Sequence, residues 1–252
     1  MLLAPKNTII YGPVNSRRLG RSLGVNILPR NQKTCTLNCV YCQYGWTDFQ
    51  QLSKTDALAW PSTEEVRAAL MKSLGQLSIP PAYITFSGNG EPTLHPCFPE
   101  IAAAVSSLRD RMVPEAQTAI LSNSSLIANP EIRTALSRLD QRIMKLDCGD
   151  NRTFLRYNNA FQGIELPDIV QGLKGIKDIT IQTLFAAGKA GNMRAAHLDA
   201  WLAQIEDIRP KHVQIYTLDR EAPATNLIPA AATELQKIKF RVREIGISAE
   251  IY

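Results

Sequence analysis

Six short apolar runs, each separated from the next by stretches with helical periodicity, constrain the fold of this chain more than any other feature. They are Leu23 to Leu28, Ala82 to Ser87, Thr118 to Ser122, Arg142 to Asp147, Ile179 to Leu184 and Val213 to Leu218. Several are apolar at nearly every position (YITF, AIL, VQIY), the pattern of parallel strands covered on both faces. The helices between them have readable ends. Ser62 with Glu65 forms a capping box before a helix from about Thr63 to Leu74, with Gly75 expected as its left-handed terminator. Asn129 followed by Pro130 opens a helix to about Leu139. Others fit Pro99 to Arg111, Met193 to Ile208 and Ala231 to Ile245, the last closed by Gly246, while Asn151 to Lys177 holds two shorter helices around a loop. Strand-helix alternation with right-handed crossovers implies a parallel architecture, either a doubly wound sheet or a barrel. A closed eight-unit barrel uses about 250 residues in full, but residues 29–81 already separate the first two runs of this 252-residue chain. The expectation is α/β: one domain spanning 1–252, an open, partial six-unit (β/α)6 TIM-like barrel with its chemistry at the C-terminal ends of the strands.

Composition excludes more than it selects. Hydrophobic residues make up 45% and charged ones 20%, which rules out disordered, collagen-like and coiled-coil chains. The net charge of +5 permits nucleic acid, acidic protein or phosphorylated substrates without choosing among them. No apolar run approaches the ~20 residues needed to span a bilayer, and the N-terminus lacks the features of a signal peptide. The expected location is cytoplasmic, without membrane association.

Three of the five cysteines, Cys35, Cys39 and Cys42, lie within eight residues of one another in the loop after the first run. The spacing is C-x3-C-x2-C. Structural zinc wants four closed ligands, and His95, His197 and His212 are all distant in sequence. Three thiolates suit a cubane iron-sulfur cluster whose fourth iron has no protein ligand and can bind a small molecule. A zinc site completed by Cys97 or Cys148, or three unligated core cysteines, are the other readings that the spacing allows. Cys97 and Cys148 themselves read as buried small residues.

C-x3-C-x2-C with an aromatic, Tyr41, immediately before the last cysteine resembles the signature of the radical S-adenosylmethionine (SAM) superfamily, and CTLNCVYC is a close match to it. The resemblance implies a [4Fe-4S] cluster held by Cys35, Cys39 and Cys42, with SAM chelated at the unique iron. Reductive cleavage of SAM then gives a 5′-deoxyadenosyl radical that abstracts hydrogen from substrate. An electron donor such as flavodoxin or ferredoxin is implied with it.

The loop after the second run, Ser87-Gly-Asn-Gly-Glu-Pro-Thr93, lacks the third glycine of a dinucleotide fingerprint and carries Pro92 where a helix would start. By itself it is a tight strand-to-helix turn. It resembles the Gly-Gly-Glu-type motif of radical SAM enzymes, which implies that Gly88, Gly90 and Glu91 receive the amino group of SAM, with Asn89 in place of one glycine. Ser122 and Asn123, ending the third run, are polar residues that cap a turn or, by the resemblance, contact the ribose or carboxylate of SAM. Lys145 and Asp147 alternate onto one face of the fourth run, either as a structural ion pair or as SAM or substrate contacts. Tyr41 completes the set of expected cofactor contacts. Gln182, Gln214, Tyr216, Asp219 and Arg220 stand at the ends of the last two runs, where Arg220 is a rim cation or an ordinary surface residue. No catalytic acid or base is identified.

Tyr11 to Gly24, with its GPV-x-SRRLG-x-SLG pattern, resembles the radical SAM group that includes the wyosine-forming tRNA enzymes. No cysteine precedes Cys35, so the second cluster of those enzymes, and the pyruvate chemistry that goes with it, is not expected. Arg17, Arg18 and Arg21 suit either a phosphate backbone or pairing with acids. Little sequence remains for a lid, which favours a macromolecular substrate, tRNA ahead of protein. A glycyl-radical-enzyme activase and a non-enzymatic zinc or iron-sulfur binding module are the alternatives.

Overall fold

The structure, a computed structural model, describes residues 2–54 and 58–252. Its first element is a hairpin of β1 (Ile10–Ser16) and β2 (Gly20–Val25), paired antiparallel. Five strands then follow in parallel, β3 (Tyr83–Phe86), β4 (Gln117–Ser122), β5 (Gln141–Lys145), β6 (Thr180–Leu184) and, after the two-residue β7 (Ala186–Ala187), β8 (His212–Tyr216). The short β9 (Ile228–Pro229) pairs with β7, and β10 (Ser248–Ile251) joins β8. The main sheet has eight strands in the order β1-β2-β3-β4-β5-β6-β8-β10, all parallel from β2 onward. This is the partial parallel barrel expected from the sequence, enlarged by an antiparallel strand at one edge and a seventh parallel strand at the other.

Among the described residues seven helices alternate with these strands: α2 (Thr63–Gln76) and α3 (Phe98–Met112), then α4 (Pro130–Ser137), α5 (Asn151–Tyr157), α6 (Leu166–Lys174), α7 (Ala195–Ile208) and α8 (Ala232–Glu244), preceded by the single turn α1 (Phe49–Leu52). Their apolar faces meet one side of the sheet, where Leu23, Val25, Ile84, Phe86, Ile120, Met144, Ile181, Val213 and Ile215 join one continuous core. Because side chains alternate across a strand, the other face carries a different set. Ser22, Thr85, Ala119, Leu121, Ile143, Lys145, Gln182, Gln214 and Tyr216 therefore face the lumen.

The tip of the β1–β2 hairpin is folded into that lumen. Leu19 packs on Ala119 and Ile143, Arg18 donates to Gln182 Oε1 at 2.8 Å, and Arg17 pairs with Asp219 at 3.4 Å. One turn at the first edge of the sheet thus touches β4, β5 and β6 and the end of β8. This plug has no periodic signature, so a strand-by-strand reading of the sequence misses it.

Several expectations need correction. The first parallel strand runs from Gly20 to Val25, not Leu23 to Leu28. Its register with β3 ends at Val25–Phe86, and Asn26 then turns its side chain to accept from Asn89 N at 3.1 Å. Gly75 does not terminate its helix. It lies inside α2, which ends in extended backbone at Leu77. Cys97 is exposed. The capping box at Ser62, the Asn129–Pro130 start and the left-handed Gly246 (φ 78°) are all present.

Two predictions follow from local packing. Gly75 is exposed, with nothing within 4 Å of an added Cβ, so Gly75→Ala should stabilise by about 0.5–1 kcal/mol by restricting the unfolded chain, raising the melting temperature by about 1–4 °C. A Cβ on Gly149 would lie 2.0 Å from the Ala200 backbone in α7, so Gly149→Ala should destabilise by at least ~1–3 kcal/mol in the same scan. A further one concerns pH. His95 is buried, with Nε2 donating to Pro61 O at 2.8 Å and Nδ1 accepting from Cys97 N at 3.0 Å, an arrangement that requires the neutral ring. Burial lowers its pKa, so the unfolded chain takes up a proton through its own pKa near 6.5 while the fold does not. Stability should decline as pH falls from 7 toward 5.5, and the drop in urea midpoint should shrink in His95→Gln.

Candidate functional site

At the C-terminal ends of the strands, a cavity of about 300 Å³ is lined by Cys35, Cys39, Cys42, Tyr41, Gly88, Gly90, Glu91, Ser122, Asn123 and Lys145. Ten of the eleven residues expected to hold cluster or SAM therefore share one space. The eleventh, Asp147, is fully buried behind its wall and is not among the lining residues. Tyr11, Lys33, Tyr44, Ser87, Leu121 and Gln182 complete the wall together with Leu37.

Two loops build this cavity by backbone contact. Thr34 N donates to Asn89 O at 2.7 Å, and Glu91 N donates to Thr34 O at 3.0 Å, a short parallel bridge between the cysteine loop and the glycine loop. Gly90 (φ 144°) sits where an added Cβ would be 1.9 Å from Thr34 O and 3.1 Å from Cys35 Cβ. No other residue type permits that approach. Asn89, which stands where the commoner motif has glycine, is fully buried and acts as a strut. Its Nδ2 donates to Lys6 O at 2.8 Å and Pro29 O at 2.9 Å, and its Oδ1 accepts from Lys6 N.

The acid of this loop is also committed to structure. Glu91 Oε1 accepts from Thr93 N, Thr93 Oγ1 and Ser122 Oγ at 3.0, 2.6 and 2.9 Å, and Oε2 accepts from Asn123 N at 2.5 Å. Burial raises its pKa while these four donors oppose the shift. Glu91 therefore ties the loop after β3 to the end of β4 while lining the cavity beside Gly88 and Gly90.

Cys35 and Cys39 are buried and Cys42 is half-buried. Burial pushes the Cys35 thiol up to about 12, against the opposing charge of Lys33, and raises Cys39 as well. Such thiols lose their protons to a metal, not to solvent. Each buried sulfur has an amide donor nearby, Asn123 Nδ2 3.4 Å from Cys35 Sγ and Asn158 Nδ2 3.3 Å from Cys39 Sγ. Among the described residues no three His, Cys, Asp or Glu side chains are grouped as ligands of one ion. Three thiols lining one cavity fit a cluster in which each binds its own iron; a structural zinc would need a fourth ligand beside them. Cys97, exposed at the start of α3, and Cys148, which donates to Asn158 Oδ1 at 3.5 Å, are absent from the lining.

Asp147 governs the wall from behind. It accepts a hydrogen bond from Tyr41 OH, from Asn158 Nδ2 at 2.7 Å and from Leu184 N at 2.9 Å, and lies 3.7 Å from Lys145 Nζ. The Lys145–Asp147 alternation is thus an ion pair with one member in the cavity and one outside it. Burial works against the charge on Lys145, but Asp147 and Tyr216 outweigh it and its pKa is raised. Asn158 was invisible in sequence because nothing marks an amide at the end of a short helix as a partner of Cys39, 119 residues away. Tyr11 and Tyr44, the former bonded to Ser87, were likewise not singled out as lining residues.

The sheet, its outer helices and a thiol-lined cavity at the strand ends define the radical SAM fold. A radical SAM methyltransferase from Sphaerobacter thermophilus superposes with a TM-score of 0.66 at 14% identity, covering 92% of this chain and 65% of that one. The structure of TYW1 with a lysine-pyruvate adduct bound gives 0.59 at 15% identity, covering 89% and 73%. No family model matches the chain. A UPF0026 protein of Helicobacter pylori is 30% identical over 215 residues, 84% of this chain and 67% of that protein, and the chain belongs to the UPF0026 family. A protein of Brachyspira hyodysenteriae called GTPase Obg is 31% identical over 254 residues, 98% of this chain but 35% of its own length. This chain contains no G-x4-G-K-[ST] phosphate loop.

The geometry around Asp147 sets the cost of substitutions there. Asn158→Leu and Tyr41→Phe each strip a hydrogen bond from the same buried carboxylate and should each cost about 1–3 kcal/mol. Thermal melts of both variants check this, and negligible losses in both would remove Asp147 as the organising group.

Proposed function

We propose that this protein is a radical SAM enzyme, in which Cys35, Cys39 and Cys42 hold a [4Fe-4S] cluster and Gly88, Gly90, Ser122, Asn123, Tyr41 and Lys145 surround SAM. The observation that carries this reading is the convergence of all three motif cysteines and the glycine loop on one cavity. Bound there and reduced by an external donor, cluster and SAM would supply a 5′-deoxyadenosyl radical. The residues of the chain hold and aim that chemistry. Asn123 and Asn158 hydrogen-bond two of the sulfurs, Glu91 fixes the loop ends, and Lys33, donating to Gly45 O at 2.7 Å, ties the cysteine loop shut beside Cys35. The polar lumen below is where a substrate group would lie.

Anaerobically reconstituted protein given dithionite and SAM should release 5′-deoxyadenosine, and Cys39→Ala should lose both iron and release. Retention of a four-iron complement with full SAM cleavage in that variant would overturn the ligand assignment. Zinc binding without any cleavage would favour a metal-binding module instead. A macromolecular substrate, tRNA before protein, is supported by the Tyr11 to Gly24 resemblance and the net charge of +5. It predicts tRNA affinity that falls steeply with salt and weakens in Arg17→Ala, whose side chain is 63% exposed and makes only a surface ion pair.

A further inference from the structure

Arg18 is placed unlike the other arginines of the hairpin. Arg17 meets Asp219 at the surface and Arg21 donates to Ile79 O at 3.3 Å, but Arg18 is carried by the plug into the lumen and is half-buried there. One arm of its guanidinium donates to Gln182 Oε1 at 2.8 Å, and its plane lies 4.9 Å from the centroid of the Tyr216 ring. Among the described residues it has no carboxylate partner. A half-buried cation met only by an amide and an aromatic face retains most of its hydrogen-bonding capacity, in the fork that matches a two-oxygen anion.

A second cation stands at the same ring. Lys145 Nζ is 5.3 Å from the Tyr216 centroid and donates to its hydroxyl at 2.7 Å. Lys145 and Gln182 both line the thiol cavity, whereas Arg18 and Tyr216 are not among its lining residues and join it only through their contacts with these two side chains. Asp147 offsets only one of the two positive charges. Beside Gln182, in register with it on β8, Gln214 is 5% exposed and its Oε1 has no hydrogen-bond partner. An unsatisfied buried amide is costly unless a ligand completes it, and here it shares the lumen face with Tyr216.

We propose that Arg18, gathered at Tyr216 with Gln182, forms the site that receives an oxyanion of the substrate, a carboxylate or a phosphate, at the border where Lys145 reaches over from the space assigned above to SAM, with Gln214 available to a donor group beside it. That the anion belongs to a substrate rests on the radical SAM reading; the existence of the anion site does not. The hairpin plug then has a purpose beyond filling the barrel, since it delivers the arginine that reads the substrate.

Sodium phosphate and sodium acetate, each titrated calorimetrically into the reconstituted full chain at an ionic strength held constant with chloride, test the site. Saturable binding of at least one is expected, phosphate alone indicating a phosphorylated substrate and acetate alone a carboxylate. Loss of a charge-assisted two-point contact should weaken it at least ~10-fold in Arg18→Gln. Arg18→Lys keeps the charge but not the fork, should weaken binding by a smaller factor, and carries the test if the glutamine variant does not fold. Absence of saturable binding of either anion, or wild-type affinity in the folded variants, would overturn the proposal. Release of 5′-deoxyadenosine by the wild-type chain, measured separately without added anion, reports on the radical SAM reading alone.

Discussion

The candidate site depends on one buried carboxylate. Asp147 has no exposed side-chain surface, and an ionised group so placed must be met by donors from several directions or lose its charge. The fold meets it with the phenol between two of the motif cysteines, an amide at the end of α5, the main chain of β6 and the ammonium of Lys145. Each contact fixes something else. Tyr41 sets the cysteine loop against the strand ends, Asn158 reaches Cys39 with the same amide, and Lys145 is held upright in the cavity. The cost of burying one charge is offset by contacts that align three separate segments.

A second carboxylate, Glu91, does the same on the other side of the cavity, joining the glycine loop to the end of β4. Between them the cysteine loop is clamped at both flanks, with Gly90 providing the closest backbone approach. The arrangement is rigid where a cluster would be bound and polar where a substrate would enter. The lumen face of the sheet carries hydroxyls, amides and Lys145, in contrast to the aliphatic face under the helices, and the hairpin plug closes its lower end with Leu19 and Arg18. No helix among the described residues is long and apolar enough to cross a membrane.

Much of this was legible in the chain itself. Six of the parallel strands, the helix caps at Ser62 and Asn129, and the cysteine and glycine loops follow from periodicity, capping chemistry and spacing, all local in sequence. Expectation and structure part where long-range contacts decide. The first strand slides because pairing with β1 and β3 outweighs the apolar run that ends at Leu28. Gly75 stays helical because the chain beyond it continues one more residue before Leu77 turns to extended backbone. Cys97 is exposed because the turn that brings it to α3 places it at a helix start and not beneath one.

The sequence by itself determined the parallel alternation, the three thiols and the glycines beside them, because strand period, cysteine spacing and backbone freedom are properties of neighbours along the chain. Tertiary structure alone decided what each polar residue does. Glu91 and Asp147 became struts because burial left them no solvent, and the amide that caps the C-terminal end of α5 became the partner of Cys39. Arg18 became a lumen cation because the sheet curls until a turn at one edge reaches strands at the other, a consequence of strand twist and stagger that no local pattern records.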